Sequence, residues 1–149
     1  MRVSIRRVQK KEQEQVIIEC VELTPQVEEI RAYALGKGAE LSGTTQDQRM
    51  ERFSLEQVYY FEALDEKVFA CTREQVYEIR MRLYEVERAF GTFHFVRCSK
   101  SVVLNLMLLE GISPALNGRF FAHMKNGERL MISRQYAGRL KEIVMGGKG

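Results

Sequence analysis

The residues able to do acid–base, nucleophilic or metal chemistry are few in this 149-residue chain, and their spacing fits none of those chemistries. His94 and His123 lie in strand-like stretches among Phe and Met, with no partner at metal-ligand spacing. Cys20, Cys71 and Cys98 are odd in number, far apart and set among apolar residues, so they read as reduced, buried packing residues rather than a disulfide or zinc framework. Gly36-Lys37-Gly38 lacks the spacing and the following Ser/Thr of a phosphate loop. Asp65 and Glu66 are adjacent carboxylates in a turn, where solvation is their ordinary role. No Ser is followed by a workable His-Asp set, and a phospho-acceptor acidic cluster is missing because the first Asp is Asp47. These patterns argue against an enzyme, a resident metal, a cofactor or a small-molecule substrate.

What the chain does carry is polar turn chemistry. Arg97, Ser99, Lys100 and Ser101 crowd one strand-to-turn junction, Asn117-Gly118-Arg119 forms a second turn, and Ser133-Arg134-Gln135 forms a third. Arg and Gln can read guanine and adenine edges, while Ser and Lys suit phosphates. All three turns fall in the basic end of the chain. Residues 93–149 hold nine Lys and Arg against three Glu, whereas residues 1–92 hold 14 basic and 17 acidic groups. A basic end on a mildly acidic remainder suggests polyanion binding.

The elements that must position these turns follow from periodicity. Val3 to Val8 and Val16 to Leu23 read as strands around a polar turn. Thr24-Pro25 reads as a helix start, with Val27, Ile30, Ala34 and Leu35 at helical spacing before Gly36 and Gly38. Residues 1–45 thus form a short β-β-α extension, and Gly43 to Gln48 is the candidate connector to a domain over 46–149. Beyond it, Ser54–Ala63 and Val68–Thr72 read as strands around a turn at Leu64–Lys67, and Tyr77–Phe90 as a helix stopped by Gly91. Phe93–Cys98 reads as a strand and Ser99–Leu104 as a helix-like turn. Leu106–Ile112 fits helix or strand and is ended by Pro114. Asn126-Gly127 signals a hairpin with positive φ at both positions. Arg134–Met145 reads as a closing helix with Tyr136, Leu140 and Ile143 inward.

The composition is that of a folded chain, 45% hydrophobic and 29% charged. The longest apolar run, Val102 to Leu109, is broken by Asn105 and falls far short of a membrane span of ~20 residues. The basic N-terminus is followed by Gln, Lys and Glu rather than an apolar signal core, so a cytoplasmic protein is expected.

Several ordered segments resemble the LytTR DNA-binding domain of bacterial transcriptional regulators. They are Phe61-Glu62-Ala63-Leu64-Asp65-Glu66-Lys67-Val68-Phe69, Tyr77-Glu78-Ile79, Leu83-Tyr84-Glu85-Val86-Glu87, the run from Phe95 to Leu106, Asn126-Gly127-Glu128, and Ser133-Arg134-Gln135-Tyr136. The resemblance covers about Met50 to Met145. It implies a mainly β fold with short helices (α+β), an elongated arrangement of small antiparallel sheets whose loops, rather than a recognition helix, enter the major groove, usually at direct repeats. The contact loops would carry Lys67 in the first, Arg97, Ser99, Lys100 and Ser101 in the second, and Ser133, Arg134 and Gln135 in the third. Gln135 stands where a second Arg is common in that family. Residues 1–45 resemble the extension of small regulators that lack a receiver domain and often have a restraining membrane partner; self-association is a further expectation. The competing reading is a protein-interaction module in which those 45 residues dock a partner and the remainder is scaffold.

Overall fold

The computed structural model describes residues 1–34 and 39–146. The chain separates into two compact units, Met1–Gly38 and Ala39–Gly149.

In the first unit, a 3-10 turn spans Lys11–Gln13 and helix α1 spans Pro25–Ala34. Thr24 caps α1 as its sequence requires: the Val27 N–H donates to Thr24 Oγ1 at 3.3 Å and the Glu28 N–H to the Thr24 carbonyl at 3.0 Å. Gly36 and Gly38, expected to end the helix, lie outside the described residues. The two expected strands do not form. Val3–Val8 and Val16–Leu23 run without regular structure, almost wholly exposed, because no neighbouring edge supplies their ladder hydrogen bonds. Cys20 is likewise exposed rather than packed.

The second unit contains all ten strands of the described residues. Strands β1 (Glu40–Thr44), β2 (Met50–Ser54), β3 (Tyr60–Leu64), β4 (Lys67–Cys71), β5 (Val76–Ile79), β6 (Phe95–Ser99) and β7 (Val102–Asn105) form an antiparallel sheet in the order β2-β1-β5-β4-β3-β7-β6. Strands β8 (Leu109–Pro114), β9 (Phe120–Met124) and β10 (Arg129–Ile132) form a second sheet in the order β10-β9-β8. Helix α2 spans Leu83–Phe90 and α3 spans Arg134–Val144. The mainly antiparallel β architecture with short helices agrees with the sequence.

The expected connector at Gly43–Gln48 is instead the end of β1 and the β1–β2 hairpin turn. The Thr45 N–H donates to the Arg49 carbonyl at 2.8 Å, and the Thr45 hydroxyl donates to Asp47 Oδ1 at 2.6 Å. Hairpin turns and linkers share the same Gly, Thr, Asp and Gln composition, so the boundary falls before Ala39 rather than at 45. The expected helix over Tyr77–Phe90 is half right. Val76–Ile79 pairs in full register with Val68–Cys71, and only Leu83–Phe90 is helical. Ile79, Leu83 and Val86 are all buried, so a strand residue extends the four-residue spacing of the helix that follows. The expected helix-like stretch Ser99–Leu104 is a hairpin turn leading into β7, whose four residues are all buried.

Turn chemistry is also redistributed. Of Asn126-Gly127 only Gly127 has positive φ (92°), and its N–H donates to the Met124 carbonyl at 2.9 Å. Register pairs Arg129 with His123, so the loop has the three-residue form with glycine in the bulge position. Both positive-φ positions occur instead at Asp65 (51°) and Glu66 (64°), between paired Leu64 and Lys67.

Two apolar clusters hold this unit. One centres on Phe61, whose ring lies 5.4 Å from Phe95 and 6.0 Å from Phe90 and is joined by Leu83 and Val86 of α2. The other gathers Cys98 and Leu104 with Met124, Ile132, Ala137 and Leu140. Burying each such side chain stabilises by about 1.5–3 kcal/mol. In α3, Ala137 and Leu140 face inward, whereas Ile143 is 41% exposed. Asn105, which interrupts the longest apolar run, is 2% exposed and satisfied: its Nδ2 donates to the Val58 carbonyl at 2.9 Å and its Oδ1 accepts from the Met107 N–H at 2.9 Å. Among the described residues no helix is long and apolar enough to cross a membrane.

Burial pushes the Cys98 thiol up to about 12 and Cys71 up to about 11. In the unfolded chain both thiols ionise at lower pH than in the fold, so their contribution to stability is intact below about pH 9 and declines from there up to about pH 12. At neutral pH a thiol reagent should modify only Cys20 in the native protein and all three cysteines once it is unfolded, as intact-mass analysis will count.

Candidate nucleic-acid interface

The three polar turns, far apart in sequence, meet. Ser99, Lys100 and Ser101 from the β6–β7 turn, Asn117 and Arg119 from the β8–β9 connection, and Ser133, Arg134 and Gln135 from the start of α3 line one open groove of about 890 Å3. Three of these side chains are cationic and none is acidic. Eight of the ten residues singled out from sequence therefore share one surface.

Backbone bonds fix the turns against each other. The Ser133 N–H donates to the Cys98 carbonyl at 2.9 Å, tying the start of α3 to the end of β6. The Ala63 N–H donates to the Ser101 carbonyl at 2.8 Å, bracing the β6–β7 turn from β3. In the β8–β9 connection the Ala115 N–H donates to the Arg119 carbonyl at 2.8 Å, and Arg119 Nε returns to the Leu116 carbonyl at 3.1 Å. Ser133 is the N-cap of the 11-residue α3 in an extended conformation, and its hydroxyl makes no capping bond to the helix backbone. The positive end of the α3 dipole thus opens on the groove and adds to its cations.

Arg134 is seated by a glycine. Asn117 (φ 59°) and Gly118 (φ 75°) are consecutive left-handed residues, and a Cβ on Gly118 would lie 3.0 Å from Arg134 Cγ and 3.1 Å from its Cδ. The bare glycine lets the arginine stem lie against the turn. Arg134 has no ion-pair partner within 4.0 Å among the described residues, while Glu128 is bonded to the Tyr60 hydroxyl at 2.9 Å and to Asn126 Nδ2 at 2.8 Å. Gly118→Ala should cost about 1 kcal/mol in stability through the left-handed backbone, and it should also displace Arg134. Thermal melts checked beside DNA titrations should show affinity falling by more than the folded fraction does.

Two expected site residues lie elsewhere. Arg97 does not line the groove: its Nη1 donates to the Lys100 carbonyl at 3.0 Å and its Nη2 sits 3.4 Å from Glu87 Oε1, with the side chain 15% exposed. It clamps the Lys100 turn to α2, so it is a positioning residue. Lys67 stands 3.8 Å from Glu78 in a separate hollow with Thr45 and Phe69. Sequence reasoning missed Glu87 and Gly118. Nothing local in the sequence pairs Glu87 with Arg97, ten residues on; Asn117-Gly118 did signal a turn but not the seat it provides. His123 Nε2 lies 2.7 Å from Ser113 Oγ, and His94 occupies a left-handed turn position (φ 69°), so both have local structural roles.

The family model of the LytTr DNA-binding domain matches residues 48–145. Two proteins described as uncharacterized HTH-type transcriptional regulators of Staphylococcus aureus, strains bovine RF122 / ET3-1 and NCTC 8325 / PS 47, are 30% and 29% identical over 96 residues, or 64% of this chain. The match spans 65% of the length of these relatives. The solved LytTr DNA-binding domain of a Bacillus cereus response regulator superposes with a TM-score of 0.66 at 27% identity, over 72% of this chain and 97% of that domain. Among the described residues α2 and α3 are separated by five strands, so no helix-turn-helix is formed by them. With its sheet order, its converging turns and two-thirds of its length matched, the chain belongs to the LytTR family of DNA-binding domains.

Proposed function

We propose that this protein binds duplex DNA through the groove between the β6–β7 turn, the β8–β9 connection and the start of α3, and regulates transcription in the cytoplasm. The observation that carries the reading is the convergence of Lys100, Arg119 and Arg134 with hydroxyl and amide side chains on one surface that no carboxylate lines. Arg134 and Gln135 read base edges from the first turn of α3, where a planar fork and an amide suit guanine and adenine. Lys100, Arg119, Ser99, Ser101, Ser133 and Asn117 hold phosphates and set the register. Lys67, in its separate hollow beside Glu78, adds a further cation for the DNA backbone from the β3–β4 hairpin. Two turns and the N-terminal end of α3, rather than a recognition helix laid along the groove, thus make the contacts, at paired direct-repeat sites, and the segment before Ala39 serves assembly or control, including restraint by a membrane partner.

Genomic fragments retained by the protein and sequenced should share a short repeated motif. Retention without a common motif, or none at low salt, would favour the second reading, an interaction module whose N-terminal segment docks a partner. The exposed Val3, Ile5, Val16, Ile17 and Val21 are the observation in that reading's favour.

A further inference from the structure

Residues 1–23 carry a charge division unrelated to the groove. Residues 1–11 hold Arg2, Arg6, Arg7, Lys10 and Lys11 and no acidic group, whereas residues 12–23 hold Glu12, Glu14, Glu19 and Glu22 and no basic one. Each half also carries a β-prone apolar run, Val3–Val8 and Val16–Leu23. Val3 is 88% and Ile5 93% exposed, and Val21 is fully exposed. Between the halves the chain makes a 3-10 turn at Lys11–Gln13, closed by a Lys11–Glu14 ion pair of 3.1 Å and by the Gln13 side chain accepting from the Lys10 N–H at 3.0 Å. It enters and leaves that turn extended, at Lys10 and Glu14, yet the halves do not pair with each other. Two strand-prone segments of opposite charge, each with its backbone groups facing solvent, fit a partner of the same make-up.

We infer that two copies of this chain associate through residues 1–23, the basic run of one pairing antiparallel with the acidic run of the other. By two-fold symmetry the pairing occurs twice, so each copy gives and receives one strand. Arg6 and Arg7 then lie opposite the Glu19 and Glu22 region, Val and Ile side chains that are exposed in the single chain cover one another, and both backbones gain ladder hydrogen bonds. The inference deepens the assembly role proposed for the segment before Ala39 and does not depend on DNA binding, since none of these residues lines the groove.

The test uses full-length chains and light scattering after size exclusion, with circular dichroism as the control for folding. Wild type should show twice the single-chain mass at low salt and dissociate toward one copy as salt rises. A variant with Arg6→Glu and Arg7→Glu has only acidic charges in both Val3–Val8 and Val16–Leu23, and one with Glu19→Lys and Glu22→Lys has only basic charges in both. Each alone should dimerise about tenfold or more weakly than wild type. Mixed in equal amounts, they should form a heterodimer, because acidic then faces basic at both pairings. A wild type that stays single-copy at low salt overturns the inference, as does a dimer indifferent to both reversals. A mixture that stays single-copy also overturns it, since only pairing between chains lets one variant rescue the other. DNA titration of the same variants on a one-site duplex reports separately on the groove, so failure of either reading is seen by itself.

Discussion

Replacing Arg97 with alanine should lower stability and DNA affinity together, although Arg97 never reaches the groove. Its guanidinium joins Glu87 on α2 to the carbonyl of Lys100, so removal leaves a half-exposed carboxylate and an unanswered carbonyl, and frees the turn that presents Lys100. Breaking a fully buried pair costs 3–5 kcal/mol; with Glu87 38% exposed, about 2 kcal/mol is expected, on the order of 8 °C in melting temperature. Lys100→Ala should behave differently: an unchanged melting temperature, weaker binding to all sequences alike, and a salt slope smaller by about one. Arg97→Lys keeps a charge near Glu87 but loses the planar fork and should recover only part of both losses. A stable Arg97→Ala protein with weakened DNA binding would move Arg97 from clamp to contact.

The second large effect belongs to Arg134. Arg134→Ala should cost about 1–3 kcal/mol of affinity for the preferred site and relax preference at one base position, while leaving the melting temperature nearly unchanged. The stability expectation rests on geometry. The side chain is exposed, lies over Gly118 and makes no ion pair within 4.0 Å among the described residues, so its removal strips no buried partner. Matched and mismatched duplexes distinguish a base reader from a phosphate contact, because loss of a phosphate contact weakens both equally. A drop in melting temperature with unchanged affinity per folded molecule would make Arg134 part of the scaffold.

The groove was legible in the sequence because its parts are turns, and turns advertise themselves through Ser, Asn, Gly and charged residues clustered at breaks in periodicity. Ser99 to Ser101, Asn117 to Arg119 and Ser133 to Gln135 could each be named, but not their convergence, which depends on the Ser133–Cys98 bond and on how the two sheets share one apolar cluster. Arg97 shows the limit from the other side. A cation beside hydroxyls has the composition of a contact residue, and only the position of Glu87 on a different element makes it a clamp. In the fold, hairpins with local turn signals were readable, whereas β5 was hidden because Ile79 continues the spacing of Leu83 and Val86. The N-terminal runs have strand propensity without a neighbouring edge, and propensity alone does not make a strand.

The central claim is that this protein grips duplex DNA through a cationic groove, and salt dependence of binding tests it most directly. The full-length protein, titrated against labelled duplex from 50 to 200 mM salt, should give log K falling linearly with log[salt]. Neutralising about four to six phosphates predicts a slope of roughly −3.5 to −5.5. The slope should shrink by about one when Lys100 is replaced by alanine. A folded protein that does not bind at the lowest salt, or binds with a slope near zero, contradicts the account.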